Sequence, residues 1–255
     1  MSLVRTAAIV AFAAGLAIAA APAQATTVYN VVDGFNTVSP SNAVGDVWTY
    51  GTFVAPTPGN PIVSSFALLT DYAANNCAGD GPGVACWQAP VTWSRVPLVA
   101  KNISGSDPLA VFGTVLQPAD VLNVHPGPGY DAVVRFTAQK AGNYKFNGAF
   151  TSLDTNPNGN GDGVLVSILN GSNVLFSGAN LGVLGSSSLF SGAIALAQGE
   201  TLDFVVDAKG TYWNDSTGLA LDVSVPEPAT WGLMIVGFGG MGAMLRRRRS
   251  MAACA

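Results

Sequence analysis

The chain has 255 residues, only 10% of them charged, with 30 Gly and 15 Pro; this balance suits an all-β protein with many turns and excludes a helical enzyme rich in Glu and Lys. Between residues 26 and 225, six basic residues stand against fourteen acidic ones, a formal charge of −8. Phosphate neutralisation needs a basic face, so nucleic acid is excluded as a partner, while cations and neutral glycans stay open.

Residues 1–25 carry the three parts of a secretory signal peptide: Arg5 as the charged start, an apolar stretch over 6–21, and the small-x-small site Ala23-Gln24-Ala25. Cleavage after Ala25 leaves Thr26 as the mature N-terminus, with an uncleaved membrane anchor as the alternative. Residues 26–120 are the less regular half, with strands expected at 47–54, 62–69 and 91–96. Cys77 and Cys86 lie in one loop-like run, N-N-C-A-G-D-G-P-G-V-A-C-W. In an oxidising compartment they read as a short disulfide loop, inserted into the domain, or else as two buried free thiols. Cys254 follows the terminal arginines and faces the reducing side.

Alternation is clearest further on. Strands are expected at 132–138, 143–151, 163–170, 173–178, 188–196, 201–207 and 218–225, punctuated by turn signals such as Asn170-Gly171 and Gln198-Gly199-Glu200. Tyr144, Phe146, Gly148 and Phe150 share one face. Leu202, Phe204 and Val206 share another, with Asp203, Val205 and Asp207 opposite. Arg135 and Lys145 read as the solvated side of their strands. Short strands with hairpin punctuation and no helical period point to an antiparallel sandwich.

The sharpest local motif is Asp154-Thr-Asn156-Pro-Asn158-Gly159-Asn-Gly-Asp162. It follows the first half of a calcium loop, D-x-D/N-x-D/N-G, with oxygen ligands at alternate positions and Gly at the sharp turn. Position twelve is Leu165, where a helix–loop–helix calcium site needs a bidentate Glu. Asp154, Asn156, Asn158 and Asp162 are therefore either Ca²⁺ ligands or the members of a polar hairpin loop. His125, the sole histidine, sits in a rigid H-P-G-P-G turn, and no G-x-S-x-G elbow accompanies it. No pair of carboxylates is singled out for glycoside hydrolysis. Tyr212 and Trp213, with Asp215 close behind, place an aromatic pair beside polar groups in a loop. They are the candidate ligand-binding residues, through stacking on sugar rings, with core packing as the other reading.

The chain end reads V-P-E-P-A-T-W-G-L-M-I-V-G-F-G-G-M-G-A-M-L-R-R-R-R. The uncharged run 229–245 spans ~26 Å as a helix at ~1.5 Å per residue, enough for a transmembrane helix. The arginines then lie in the cytoplasm and the domain outside, the topology that the signal peptide also demands. Pro226, Glu227 and Pro228, then Trp231, the apolar helix and Arg246, Arg247, Arg248 and Arg249 together resemble the PEP-CTERM sorting signal in its alphaproteobacterial form. That resemblance implies a Gram-negative host that makes exopolysaccharide, and an exosortase as processing partner acting near the Pro-Glu-Pro. Ser250 to Ala255 extend beyond the arginines, a departure from the usual pattern, as a short cytoplasmic tail.

The run V-H-P-G-P-G-Y-D-A-V-V-R-F-T-A-Q-K-A-G-N-Y-K-F-N-G-A-F, residues 124–150, resembles jelly-roll modules of exported bacterial proteins. Over about residues 121–225 it implies an antiparallel jelly-roll-like β-sandwich; with the first-half strands completing it, the chain is read as one all-β domain over 26–225, flanked by the N-terminal signal peptide and the C-terminal transmembrane helix at 226–249. The sequence thus describes a non-enzymatic surface or matrix protein that binds exopolysaccharide. A secreted carbohydrate-active hydrolase and a purely structural biofilm component are the alternatives.

Overall fold

The computed structural model of the chain describes residues 26–90, 94–156, 159–179, 181–182, 184–226 and 238–240. Contacts divide the chain into two units, Thr26–Pro226 and a second made of Met1–Ala25 with Glu227–Ala255. The expected signal peptide and the sorting residues Glu227, Pro228, Trp231 and Arg246 to Arg249 lie outside the described residues. Of the expected transmembrane segment only one helical turn, 238–240, is described. Among the described residues no helix is long and apolar enough to cross a membrane.

The larger unit is built of strands. Its first half holds β1 (Thr26–Asn30), β2 (Trp48–Val54), β3 (Ile62–Leu68), β4 (Asp71–Ala73), β5 (Asn76–Cys77), β6 (Gly81–Pro82), β7 (Val84–Gln88), β8 (Leu98–Asn102), β9 (Leu109–Val111) and β10 (Val115–Gln117). Its second half holds β11 (Leu122–His125), β12 (Tyr130–Thr137), β13 (Gly142–Ser152), β14 (Val164–Asn170), β15 (Asn173–Ala179), β16 (Ser187–Leu196), β17 (Thr201–Ala208) and β18 (Thr217–Pro226). The larger sheet runs β16-β13-β18-β11-β8-β7-β5-β6, with β1 on β18 and β4 on β7. The smaller runs β15-β14-β17-β12-β2-β3, and β9 and β10 pair as a separate hairpin. From β11 onward the chain passes repeatedly from one sheet to the other, the winding of a jelly roll.

Period-two alternation explains the core between the sheets. Phe146, Phe150 and Tyr144 from β13 meet Phe204, Leu202 and Val206 from β17, all buried. Gly148, on the same face of β13, leaves room that no side chain could share: a Cβ there would lie 2.0 Å from the Ala220 carbonyl oxygen and 2.7 Å from the Phe190 ring. Phe136 of β12 touches Tyr29, Trp48 and Tyr144, with ring centroids 5.3, 5.2 and 5.5 Å away. It thereby ties β1 and β13 of one sheet to β2 of the other.

On the outer face of β17, Asp203, Val205 and Asp207 stand opposite Leu202, Phe204 and Val206, and all three are buried. A second small core covers them, in which Phe53, Val133, Leu169 and Val205 pack with Val63 and Phe66. Arg135 was expected on a solvated face. Instead its Nη2 donates to Asp203 Oδ2 at 2.9 Å and its guanidinium lies 3.5 Å from the centre of the Phe66 ring. Lys145, by contrast, is exposed.

The expected strand at 91–96 is not where pairing begins. Ser94 and Arg95 form a turn with φ of 61° and 62°, and the strand starts at Leu98; residues 91–93 lie outside the described residues. Cys77 and Cys86 are joined in a disulfide with their Cα atoms 5.5 Å apart. Rather than closing an inserted loop, this bridge pins β5 to β7 within the larger sheet. Closing so short a loop restricts the unfolded chain by about 2–3 kcal/mol on the chain-entropy account.

Candidate functional site

The candidate site lies on the outer face of the larger sheet, and β11 supplies its floor. Leu122 and Val124 point into the core, so alternation turns Asn123 and His125 the other way. The strand neighbours of Asn123 are Ala100 on β8 and Gly218 on β18, which leave space above it. The β9–β10 hairpin and the disulfide segment cover the rest of this face, packing Val111, Val115, Cys77 and Cys86 over Leu98 and Ala100. Between these covers and the 209–216 loop a cavity of about 360 Å³ remains. Asn123, His125, Asp154, Phe112, Tyr212 and Trp213 are among its lining residues.

Its polar groups converge without satisfying one another. The Asn123 side chain is wholly buried, yet neither its Oδ1 nor its Nδ2 has a partner. Asp154 accepts from the Ser216 N–H through Oδ2 at 3.3 Å and leaves Oδ1 without a partner. His125 Nδ1 lies 2.6 Å from the Pro126 carbonyl oxygen. A carbonyl only accepts, so Nδ1 carries the proton and Nε2 is left as an acceptor. Burial pushes the imidazole pKa down, against the opposing pull of the Pro126 carbonyl and Asp154. Such unmet hydrogen-bonding capacity costs free energy unless a ligand or ordered water satisfies it.

The aromatic pair stands at this cavity. Tyr212 and Trp213 stack on each other, centroids 5.1 Å apart and planes 22° from parallel, and Trp213 is 61% exposed. The loop that carries them is braced by the segment read from sequence as half a calcium loop. Asn156 Oδ1 accepts from Gly161 N–H at 3.1 Å and from Asn214 Nδ2 at 3.0 Å. Asp162 Oδ1 accepts from the Thr211 N–H at 3.2 Å. Asn158 lies outside the described residues. Among the described residues, no three His, Cys, Asp or Glu side chains gather as a metal cage. The cavity therefore unites Tyr212, Trp213 and Asp154 from the sequence candidates, while Asp215 is buried and does not line it.

The disulfide shapes a further wall. Ala78, held at φ 56°, follows Cys77 and donates its N–H to Gln88 Oε1 at 2.8 Å, and it lines the cavity with Asp80. Asn123, Phe112 and Thr114 were not picked out from sequence, for they belong to no motif. The one available signal was an amide in the apolar run V-L-N-V-H.

Pro226, the first residue of the expected sorting signal, ends β18 and pairs with Thr26. Residues 224–249 match the family model of the PEP-CTERM protein-sorting motif. The chain carries a PEP-CTERM sorting motif. That motif is a sorting signal of exported Gram-negative proteins and marks the chain for exosortase processing. No curated protein matches the chain. Among solved structures the chain is similar to a family 35 carbohydrate binding module from Clostridium thermocellum, with 10% identity, a TM-score of 0.28, and 60% of this chain and 98% of that one covered. It is also similar to the K2 cleaved adhesin domain of Lys-gingipain, with 14% identity, a TM-score of 0.33, and coverage of 79% and 99%. A third is CBM51 from Clostridium perfringens GH95 in complex with methyl-galactose, with 12% identity, a TM-score of 0.30, and coverage of 42% and 70%.

Proposed function

We propose that the exported module is a non-enzymatic glycan-binding protein of the cell surface or matrix, and that it takes a neutral sugar unit of exopolysaccharide in the cavity over Asn123. One observation carries this reading: a buried amide with both polar atoms unpartnered faces a cavity that also holds an exposed indole. A sugar ring offers an apolar C–H face to Trp213 and hydroxyls that both donate and accept. The Asn123 amide and the free Asp154 oxygen match those hydroxyls. The volume suits one or two rings, and the acidic module disfavours anionic polymers.

Calorimetric titration with neutral exopolysaccharide fragments tests this. Trp213→Ala should weaken binding by at least about tenfold, the change that corresponds to ~1.4 kcal/mol. Equal affinity in wild type and Trp213→Ala would overturn the site, and no binding to any neutral glycan would overturn the reading. We also place processing near Pro226 to Pro228, after a stage in which the 229–245 segment holds the chain in the membrane. Pro226 ends β18, and Pro228 lacks the N–H that a continued sheet pairing would need, which suits the site to a membrane protease. Intact mass of the mature protein from its native host should show a C-terminus there; retention of Arg246 to Arg249 would instead make the segment a permanent anchor.

A further inference from the structure

The outer face of the smaller sheet carries two cross-strand pairs that differ in one respect. On β12 and β17, Arg135 stands opposite Asp203, and four residues along, the register Ala132↔Val206 sets Asp131 opposite Asp207. The first pair is compensated by a two-pronged guanidinium–carboxylate contact. The second is acid against acid. Asp131 is wholly buried, and neither of its oxygens has a hydrogen-bond donor. Asp207 accepts from the Gly59 N–H at 2.7 Å. Like charges directly opposite in a sheet are destabilising, and a buried unpaired carboxylate more so.

We propose that Asp131 and Asp207 together bind a hard divalent cation of the calcium class. Two facing carboxylates give the oxygen donors such an ion prefers, and its charge removes the repulsion between them. Asp207 also lines a separate cavity of about 610 Å³ together with Gly59, Asn60 and Leu165. That cavity supplies the entry path and the water that completes a coordination shell formed by only two carboxylates. The site is distinct from the 154–162 loop, whose described amide and carboxylate groups brace the aromatic loop, and it does not depend on glycan binding.

The test is metal binding by the full chain at neutral pH, read by native mass spectrometry and thermal melting with Ca²⁺, with Mg²⁺ and with chelator. One bound Ca²⁺ is expected. Ca²⁺ at about a hundred times its Kd should raise Tm by about 5–10 °C. Asp131→Asn keeps the shape and removes the repulsion. It should therefore fold, melt above the metal-free wild type, and lose the Ca²⁺ shift, as should Asp207→Asn. Asp162→Asn should keep the shift. Absence of both the bound mass and the shift would overturn the proposal in favour of a proton shared by the two acids. A shift that survives Asp131→Asn but disappears in Asp162→Asn would overturn it in favour of the loop.

Discussion

With chelator present, the stability of the chain should fall as pH rises from about 4 to about 8, and then level off. Asp131 is pushed from 3.8 up to about 8 by desolvation first, and then by the neighbouring Asp207 carboxylate. Asp215 is likewise raised to about 8 by desolvation and by Asp162, Asp154 and Asp207. Asp207 is raised as well, chiefly by desolvation, with the Gly59 N–H and Asp131 pulling the other way. Below the unfolded value, both states hold these protons and no pH dependence arises. Between that value and about 8 the unfolded chain has released them while the folded chain retains them, so each step up in pH favours unfolding. Above about 8 both states are ionised and the curve is flat.

About four pH units at ~1.36 kcal/mol each set a ceiling of roughly 5 kcal/mol for one such group. Against a total stability of ~5–15 kcal/mol that is a large effect. Urea unfolding at pH 5 and pH 8 measures it, and Asp131→Asn should flatten the slope. A stability that rises over this interval would mean that the carboxylates are ionised and compensated in the fold.

Legibility followed the physics of each element. The second half declared its strands through apolar residues at period two, as in Tyr144, Phe146 and Phe150, and Asn170-Gly171 marked the two-residue turn Gly171-Ser172 between β14 and β15. Expected and observed limits there agree to within about two residues. β7 and β8 in the first half, and β11 at the start of the second, lie under covers on both faces, so no alternation marks them, and Val84 to Gln88 hid behind the Gly and Pro of the preceding turn. The same effect hid the acidic pair. Asp131 and Asp207 are 76 residues apart in the chain, and only the pairing of β12 with β17 brings them together. Tyr212 and Trp213 were visible because an aromatic pair in a polar loop lacks a packing reason. Asn123 was not, because what distinguishes it is the absence of a partner.

Phe136→Ala should be the most damaging single truncation in the core. The ring is fully buried, and its three aromatic neighbours come from β1, β2 and β13, so its loss opens a void between sheets and not within one. Removal of a buried Phe costs ~3–5 kcal/mol through lost transfer energy and the residual cavity, and the edge-to-face contacts with Trp48 and Tyr144 go with it. For a unit of this size that is a fall in Tm of about 6–20 °C. Phe136→Leu refills much of the space and should cost distinctly less. Val174, 63% exposed on the edge strand β15, is the contrast: Val174→Ala should shift stability by under ~0.5 kcal/mol. Thermal melts of the three variants check the order. Because β11 reaches the candidate cavity from the opposite face of the larger sheet, Phe136→Leu should leave glycan affinity unchanged below its melting range, whereas Trp213→Ala should weaken binding and leave Tm alone. Loss of both together in either variant would show that the cavity and the core are one cooperative structure.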